Sequence, residues 1–246
     1  MKRIAETAAA LVIGNELLSG KIQEANLIEL ARALRALGIR LIRAVFVPDD
    51  IDVIANSVRE LRTLADVVFT SGGVGPTHDD VTVEAIARAF GVEAVIEPTL
   101  AALLREVYGE RCTDAHLRMA LVPQGAELVS NADVRWPTPL IGNVYVLPGV
   151  PEIFRMRLDA VRSHLTGPRP LISKAVFLAL DEPELTPTLN SVVAAHPEVE
   201  IGSYPKWFDK SYKTKVTFDG SDEQAVARAV SAFVAHFRDD QVVRFE

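Results

Sequence analysis

The chain opens on an apolar run, Thr7–Ile13, closed by Gly14. Seven residues without a charge, bounded by a breaker, predict a strand buried on both faces. Leu27, Leu30, Leu34 and Leu37 then recur at helical spacing within Asn26–Leu37, and Gly38 stops that helix. Ile39–Val47 is β-branched and apolar up to Pro48-Asp49-Asp50, and Ile51–Leu64 is a second amphipathic helix. Asp66–Thr70 reads as a short buried strand, followed by the turn Ser71-Gly72-Gly73-Val74-Gly75-Pro76 and a helix over Val81–Phe90. This alternation predicts an α/β fold with a mostly parallel, three-layer sheet. Thr99–Tyr108 and Ala115–Leu121 are expected as helices, Val144–Leu147 as a strand, and Glu152–Leu165 as a long helix.

Thr166-Gly167-Pro168-Arg169-Pro170 has the stiff composition of a linker. It divides the chain into residues 1–167 and 168–246. In the second part, strand signals at Ile172–Leu180, Val199–Tyr204, Tyr212–Asp219 and Gln241–Phe245 alternate with helices at Pro183–Ala195 and Asp222–Phe237. That is the βαββαβ order of a small split-βαβ, or ferredoxin-like, domain. Within it, Tyr204, Pro205, Trp207 and Phe208 link two strands. Packing of that loop is the default expectation, and walling a flat ligand the alternative.

Composition narrows the class. Lys and Arg number 26 against 33 Asp and Glu, a formal net charge of −7. A nucleic-acid partner calls for a basic excess or a basic face, and neither is present. No stretch approaches about 20 uninterrupted apolar residues, so no membrane partner is expected. The short Ala8–Ile13 run does not make an export signal. A single cysteine, Cys112, excludes an internal disulfide framework and Cys-based structural zinc. The expectation is a soluble, cytoplasmic protein.

Chemistry concentrates in Ser71–Thr82. Three glycines let the backbone approach a ligand and aim N–H groups at an anion, and the helix from Val81 adds its positive end. Asp79 and Asp80 beside such a turn would repel a phosphate alone, and a hard cation reconciles the charges. The plainer reading makes Asp80 a helix N-cap. The spacing fits neither a Walker A loop nor a dinucleotide fingerprint. On a parallel sheet, Gly14-Asn15-Glu16 and Pro48-Asp49-Asp50 end strands at the same edge, with Asp50 the natural cap of the helix that follows. Leu147-Pro148-Gly149-Val150-Pro151 adds a further strand-to-helix turn. Of the five histidines only His78 falls in such a segment.

Taken together, Gly14-Asn15-Glu16-Leu17-Leu18-Ser19-Gly20, Asn26, Pro48-Asp49, Ser71 through Thr82 and Leu147–Pro151 resemble the N-terminal domain of the competence/damage-inducible protein A family, which has the MoaB/Mog-type molybdopterin-binding fold. The arrangement also resembles the domain fused ahead of eukaryotic FAD synthase. Two departures stand out: Asn15 where the family has Asp, and Asp133–Pro139 where it has a Gly-Thr-Ala-Pro-Gly stretch. Carried onto matching positions, the resemblance implies substrate contacts from Glu16, Asn26, Ser71, Gly72, Gly73, Gly75, Pro76, Thr77, Thr82, Pro148 and Gly149. It implies a divalent metal (Mg, Mn or Co), with or without potassium, on Asp49, Asp79 and Asp80, with Asp49 and Asp80 catalytic. The implied activity is cleavage of ADP-ribose- or FAD-like dinucleotides by a homo-oligomer. Molybdopterin binding or adenylyl transfer is the alternative, and a non-catalytic ligand-binding protein the third.

Overall fold

A two-residue strand, β1 (Arg3–Ile4), precedes β2 (Thr7–Ile13), whose side chains divide strictly between two faces. Ala8 and Ala10 pack on one side, while Ala9, Leu11 and Ile13 pack on the other. That division requires a helical layer on each face, which the following elements supply. The computed structural model describes residues 2–132, 135–208 and 211–246. They fall into two units, Met1–Pro168 and Arg169–Glu246.

In the larger unit a single turn, α1 (Asn15–Leu18), leads to α2 (Asn26–Ala36), β3 (Arg40–Val47), α3 (Ile51–Leu64), β4 (Val67–Ser71) and α4 (Thr82–Phe90). Asp50 caps α3, accepting from the N–H groups of Asp52 and Val53. Then come β5 (Ala94–Ile96), α5 (Pro98–Tyr108), a 3-10 turn (Gly109–Arg111), α6 (Asp114–Arg118), β6 (Leu121–Pro123), β7 (Glu127–Val129), β8 (Thr138–Ile141), β9 (Val144–Leu147), α7 (Pro151–His164) and β10 (Leu165–Thr166). The main sheet has the order β3-β2-β4-β9-β8-β7. Its first four strands are parallel, and β8 and β7 extend it antiparallel. Leu30 and Leu34 of α2 and Phe154, Leu158 and Val161 of α7 fill one face. Ile54, Val58 and Leu61 of α3 with Ala85 and Ile86 of α4 fill the other. Phe69 stacks on Tyr145 at 5.2 Å between ring centroids. The Tyr145 hydroxyl meets His164 Nδ1 at 2.9 Å, and burial pushes its pKa up to about 12.

Two expectations are corrected in this unit. The helix expected over Ala115–Leu121 stops at Arg118, and Leu121–Pro123 instead pairs antiparallel with Ala94–Ile96. Pro123 biases the residue before it toward extended backbone, and the pairing buries Val122. Thr166 and Gly167, expected in a linker, belong to the unit itself. Thr166 pairs with Ile4, and the Gly167 N–H donates to Leu37 O at 2.9 Å.

The smaller unit runs β11 (Ile172–Leu178), α8 (Glu182–Ala195), β12 (Glu200–Pro205), β13 (Thr214–Gly220), α9 (Glu223–Val234) and β14 (Val242–Phe245). Its sheet order, β12-β13-β11-β14, is antiparallel throughout, as the split-βαβ reading requires. Leu185 and Val192 of α8 and Val226, Ala229 and Phe233 of α9 cover one sheet face. The default that Trp207 and Phe208 pack their loop is overturned: they are 88% and 101% exposed. They lie beyond the β12–β13 pairing, which ends at Pro205 and Thr214.

At the N-terminal edge of the larger unit's main sheet, Asp66 Oδ2 accepts from the N–H groups of Glu6 and Thr7 and from Thr7 Oγ1 at 2.9–3.0 Å, joining the starts of β2 and β4. Those donors, led by the Thr7 N–H, hold the Asp66 carboxyl below its usual pKa. A depressed carboxyl stabilises the fold above the unfolded pKa of about 3.9, and that contribution is lost as pH falls through the lower folded value. Because Asp66 is exposed, Asp66→Ala is expected to cost only about 1 kcal/mol at pH 7. Thermal unfolding of parent and variant from pH 7 to pH 3 should show that difference shrinking below about pH 4.

Candidate functional site

The carboxyl edge of the parallel strands holds a topological switch point. β2 continues into α2 on one face, while its neighbour β4 continues into α4 on the other. The two connections diverge and leave a crevice between the strand ends. Gly72, at φ 107°, sits so close to the end of β2 that a Cβ there would overlap the Ile13 carbonyl oxygen. Gly73, at φ 67°, comes equally near Thr82 Oγ1. A Cβ on Gly149 would stand 3.3 Å from Gly72 Cα. The ends of β4 and β9 therefore approach each other, and Ile13 of β2, at glycines.

Several residues expected to touch substrate form the frame of this edge. Thr82 is fully buried, its hydroxyl donating to Gly72 O at 2.9 Å and its N–H to Gly73 O at 3.0 Å. Ser71 and Pro148 are also buried. Asn26, 5% exposed at the start of α2, donates through Nδ2 to Ser71 Oγ at 2.9 Å and to Gly149 O at 2.8 Å. Its amide cannot be flipped without turning oxygen toward the Gly149 carbonyl. Asn26 Oδ1 is then left buried without a hydrogen-bond partner. Such an atom costs about 1–3 kcal/mol, a strain placed where three strand ends converge.

The surface of the edge is a run of backbone donors. The Gly72 N–H is committed to Leu147 O. No backbone carbonyl among the described residues accepts from the N–H groups of Gly73, Val74 or Gly75. The Gly73, Val74 and Gly75 N–H groups, at and after two positive-φ glycines, are therefore not used by the sheet's own hydrogen bonding. Pro76 and Thr77 are exposed beyond them.

Asp79 and Asp80 converge on Thr77, whose single hydroxyl proton is shared between a carboxylate oxygen of each. The Thr77 N–H also donates to Asp80 Oδ2 at 2.8 Å. Asp80 thus closes a turn back toward Gly75 and is not the cap of α4, whose N-cap position is Val81 with no side-chain hydrogen bond. The Thr77 hydroxyl is the main cause holding the Asp79 carboxyl below its usual pKa. The His78 side chain is 98% exposed, with its Nδ1 3.9 Å from Asp79 Oδ1. Asp49 Oδ2 accepts from the Asn15 N–H at 2.8 Å, joining the loops after β2 and β3 through backbone whichever side chain stands at 15. The exposed Glu16 carboxylate folds back over Gly14. Among the described residues no group of three or more His, Cys, Asp or Glu side chains is placed to hold a metal ion. The acidic residues do not assemble a closed cage; Asp79 and Asp80 pair on Thr77, and Asp49 braces a neighbouring loop.

Arg118, which the sequence reading does not single out, ends α6 and lines a small crevice with Val74, Gly75 and Asp80; its Nη2 donates to Glu84 Oε1 at 3.4 Å. The only signal was one Arg in a segment read as part of a longer helix. Of the departing stretch 133–139, Asp133 and Val134 lie outside the described residues, and Trp136 lies 5.6 Å beneath the Arg157 guanidinium.

A family model described as a probable molybdopterin binding domain matches residues 9–166, and one described as the middle domain of FAD synthase matches residues 170–246. An Archaeoglobus fulgidus protein is 35% identical over 221 residues, 90% of this chain and 93% of its own. A probable FAD synthase of Caenorhabditis elegans is 31% identical over 255 residues, 92% of this chain and 49% of its own. The chain therefore spans about half the length of that relative. The crystal structure of the protein CinA, of unknown function, from Thermoplasma acidophilum is similar at 32% identity and a TM-score of 0.59, covering 65% of this chain and 97% of that one. No helix among the described residues is long and apolar enough to cross a membrane. The first match covers nearly all of the larger unit, switch-point edge included, so the chain belongs to the probable molybdopterin binding domain family.

Proposed function

We propose that the protein is a metal-assisted hydrolase of nucleotide pyrophosphates, with FAD- and ADP-ribose-like dinucleotides as the substrate class. The observation that carries this reading is the unpaired N–H run Gly73–Gly75 set directly against the Asp79–Thr77–Asp80 turn. The donors there are hard oxygens. Such a set suits Mg, Mn or Co, since a magnesium-like ion takes one or two carboxylates and fills its shell from water and phosphate. It lacks the sulfur donors of a Cys-based structural zinc site. Asp79 and Asp80 would hold the ion, which when bound polarises a phosphoryl oxygen. Gly73, Val74 and Gly75 orient the pyrophosphate through their N–H groups, Asn26 and Thr82 keep the strand ends in register, and Asp49 braces the adjoining loop. Likeness to FAD synthases supports trying FAD first.

A second reading, pterin binding or adenylyl transfer in the same crevice, draws support from the family match over residues 9–166. It differs by tight pterin binding without pyrophosphate turnover, and a non-catalytic binding protein would bind ligand with no reaction at all.

A hydrolysis screen of FAD and ADP-ribose with magnesium, manganese and cobalt, with and without potassium, should give mononucleotide products that vanish on chelation. A parent protein inactive throughout that panel would refute the hydrolase reading. Asp80→Asn keeps an oxygen able to accept from Thr77, so its melting temperature should stay within about 2–4 °C of the parent. Its turnover should fall by orders of magnitude, because a charge facing the ion is gone. Retained activity would make Asp80 merely a turn residue.

A further inference from the structure

Two aspartates beside an anion cradle leave a charge deficit that three N–H groups do not cover. A pyrophosphate brings further negative charge to a turn already carrying Asp79 and Asp80. Backbone donors supply only partial positive charge, and a cation arriving with the substrate balances the carboxylates at best.

Arg118 stands beside one side of that turn, across a crevice from Gly75 and Asp80. It walls one surface crevice together with Gly75, Asp80, Val83, Glu84 and Leu121, and it is the sole cation among the residues lining it. The short helix that carries it is well anchored. Thr113 and His116 form a reciprocal capping box at its start, and Ala120 and Val122 just beyond it are buried. Glu84, the partner of Arg118, stands in the first turn of α4, where the helix dipole favours a carboxylate with or without its guanidinium. The contact between them is one long hydrogen bond of 3.4 Å, with the side chains 42% and 32% exposed. Such pairs contribute little, whereas a guanidinium meeting a phosphate offers two parallel charge-assisted bonds.

We propose that Arg118 is the phosphate-binding cation of this site, held beside the glycine-rich turn by Glu84 and released to the substrate's pyrophosphate on binding. This rests on the reading of the crevice as a pyrophosphate site, and it assigns the substrate's charge to a residue outside the glycine-rich turn. The requirement is for arginine and not merely for positive charge, since a lysine ammonium lacks the planar fork. Glu84 opposes binding: it competes for the guanidinium and adds like charge to the crevice.

The two residues therefore make predictions of opposite sign. Calorimetric titration of the full chain with inorganic pyrophosphate and with ADP-ribose, in magnesium and in its absence, measures them. Arg118→Ala should weaken binding of both probes about tenfold or more. Arg118→Lys should fall between Arg118→Ala and the parent. Glu84→Gln should tighten binding severalfold, and the double variant should lose most of that gain. Thermal unfolding near that of the parent separates these effects from loss of fold. Unchanged affinity in Arg118→Ala, or weakened affinity in Glu84→Gln, would overturn the assignment, as would a parent that binds neither probe. Because the readout is binding, a protein that binds as expected but hydrolyses nothing removes the hydrolase reading and leaves Arg118 in place. Hydrolysis with unchanged Arg118→Ala affinity does the reverse.

Discussion

The carbonyl oxygen of Ile13 leaves no room for a Cβ at residue 72. That steric limit brings the end of β4 against the end of β2, and the rest of the edge follows from it. Once Gly72 is in place, its own carbonyl is taken by the Thr82 hydroxyl and its N–H by Leu147. The chain must then reverse through Gly73 at positive φ, which is why the following N–H groups are turned away from the sheet's own hydrogen bonding. A side chain at 72 would separate the strands, free Thr82 and displace those N–H groups together.

Around this contact the fold separates framework from surface. Asn26, Ser71, Thr82 and Pro148 are buried and bonded inward. Pro76, Thr77 and Asp79 stand in solvent. The loops after β2 and β3 are tied by Asp49 to a backbone N–H, so that link does not depend on the side chain at 15. On the proposed reading, chemistry is confined to a short turn whose charges are two aspartates on Thr77, with Arg118 and Glu84 across the crevice.

Much of this was legible in the sequence. The βα alternation through Phe90 and the βαββαβ order of the smaller unit follow from apolar periodicity and glycine stops, because each element buries one regular face. β7 and β8 were missed because they are short and Pro137 and Pro139 interrupt the pattern; only pairing, of β8 with β9 and of β7 with β8, makes them strands. The helix over Ala115–Leu121 was overextended because Leu121 and Val122 suit a helix face until β5 claims them. At the site, glycine spacing located the turn, but sequence could not tell which N–H groups the sheet consumes, nor which side chains the core swallows. Asp80 looked like a cap because caps are common before helices; its real partner, Thr77, becomes visible only when the turn is closed. Arg118 lies 38 residues beyond Asp80, and no local pattern joins them.

The central claim is that the N–H groups of Gly73, Val74 and Gly75 receive the substrate's phosphates. Amide chemical shifts recorded while inorganic pyrophosphate is titrated into the isotopically labelled protein test it directly. The largest and saturable shifts are expected at Gly73, Val74 and Gly75, with the Gly72 amide, held by Leu147, changing little. Binding that leaves those three amides unmoved, or that shifts residues of the smaller unit instead, would contradict it.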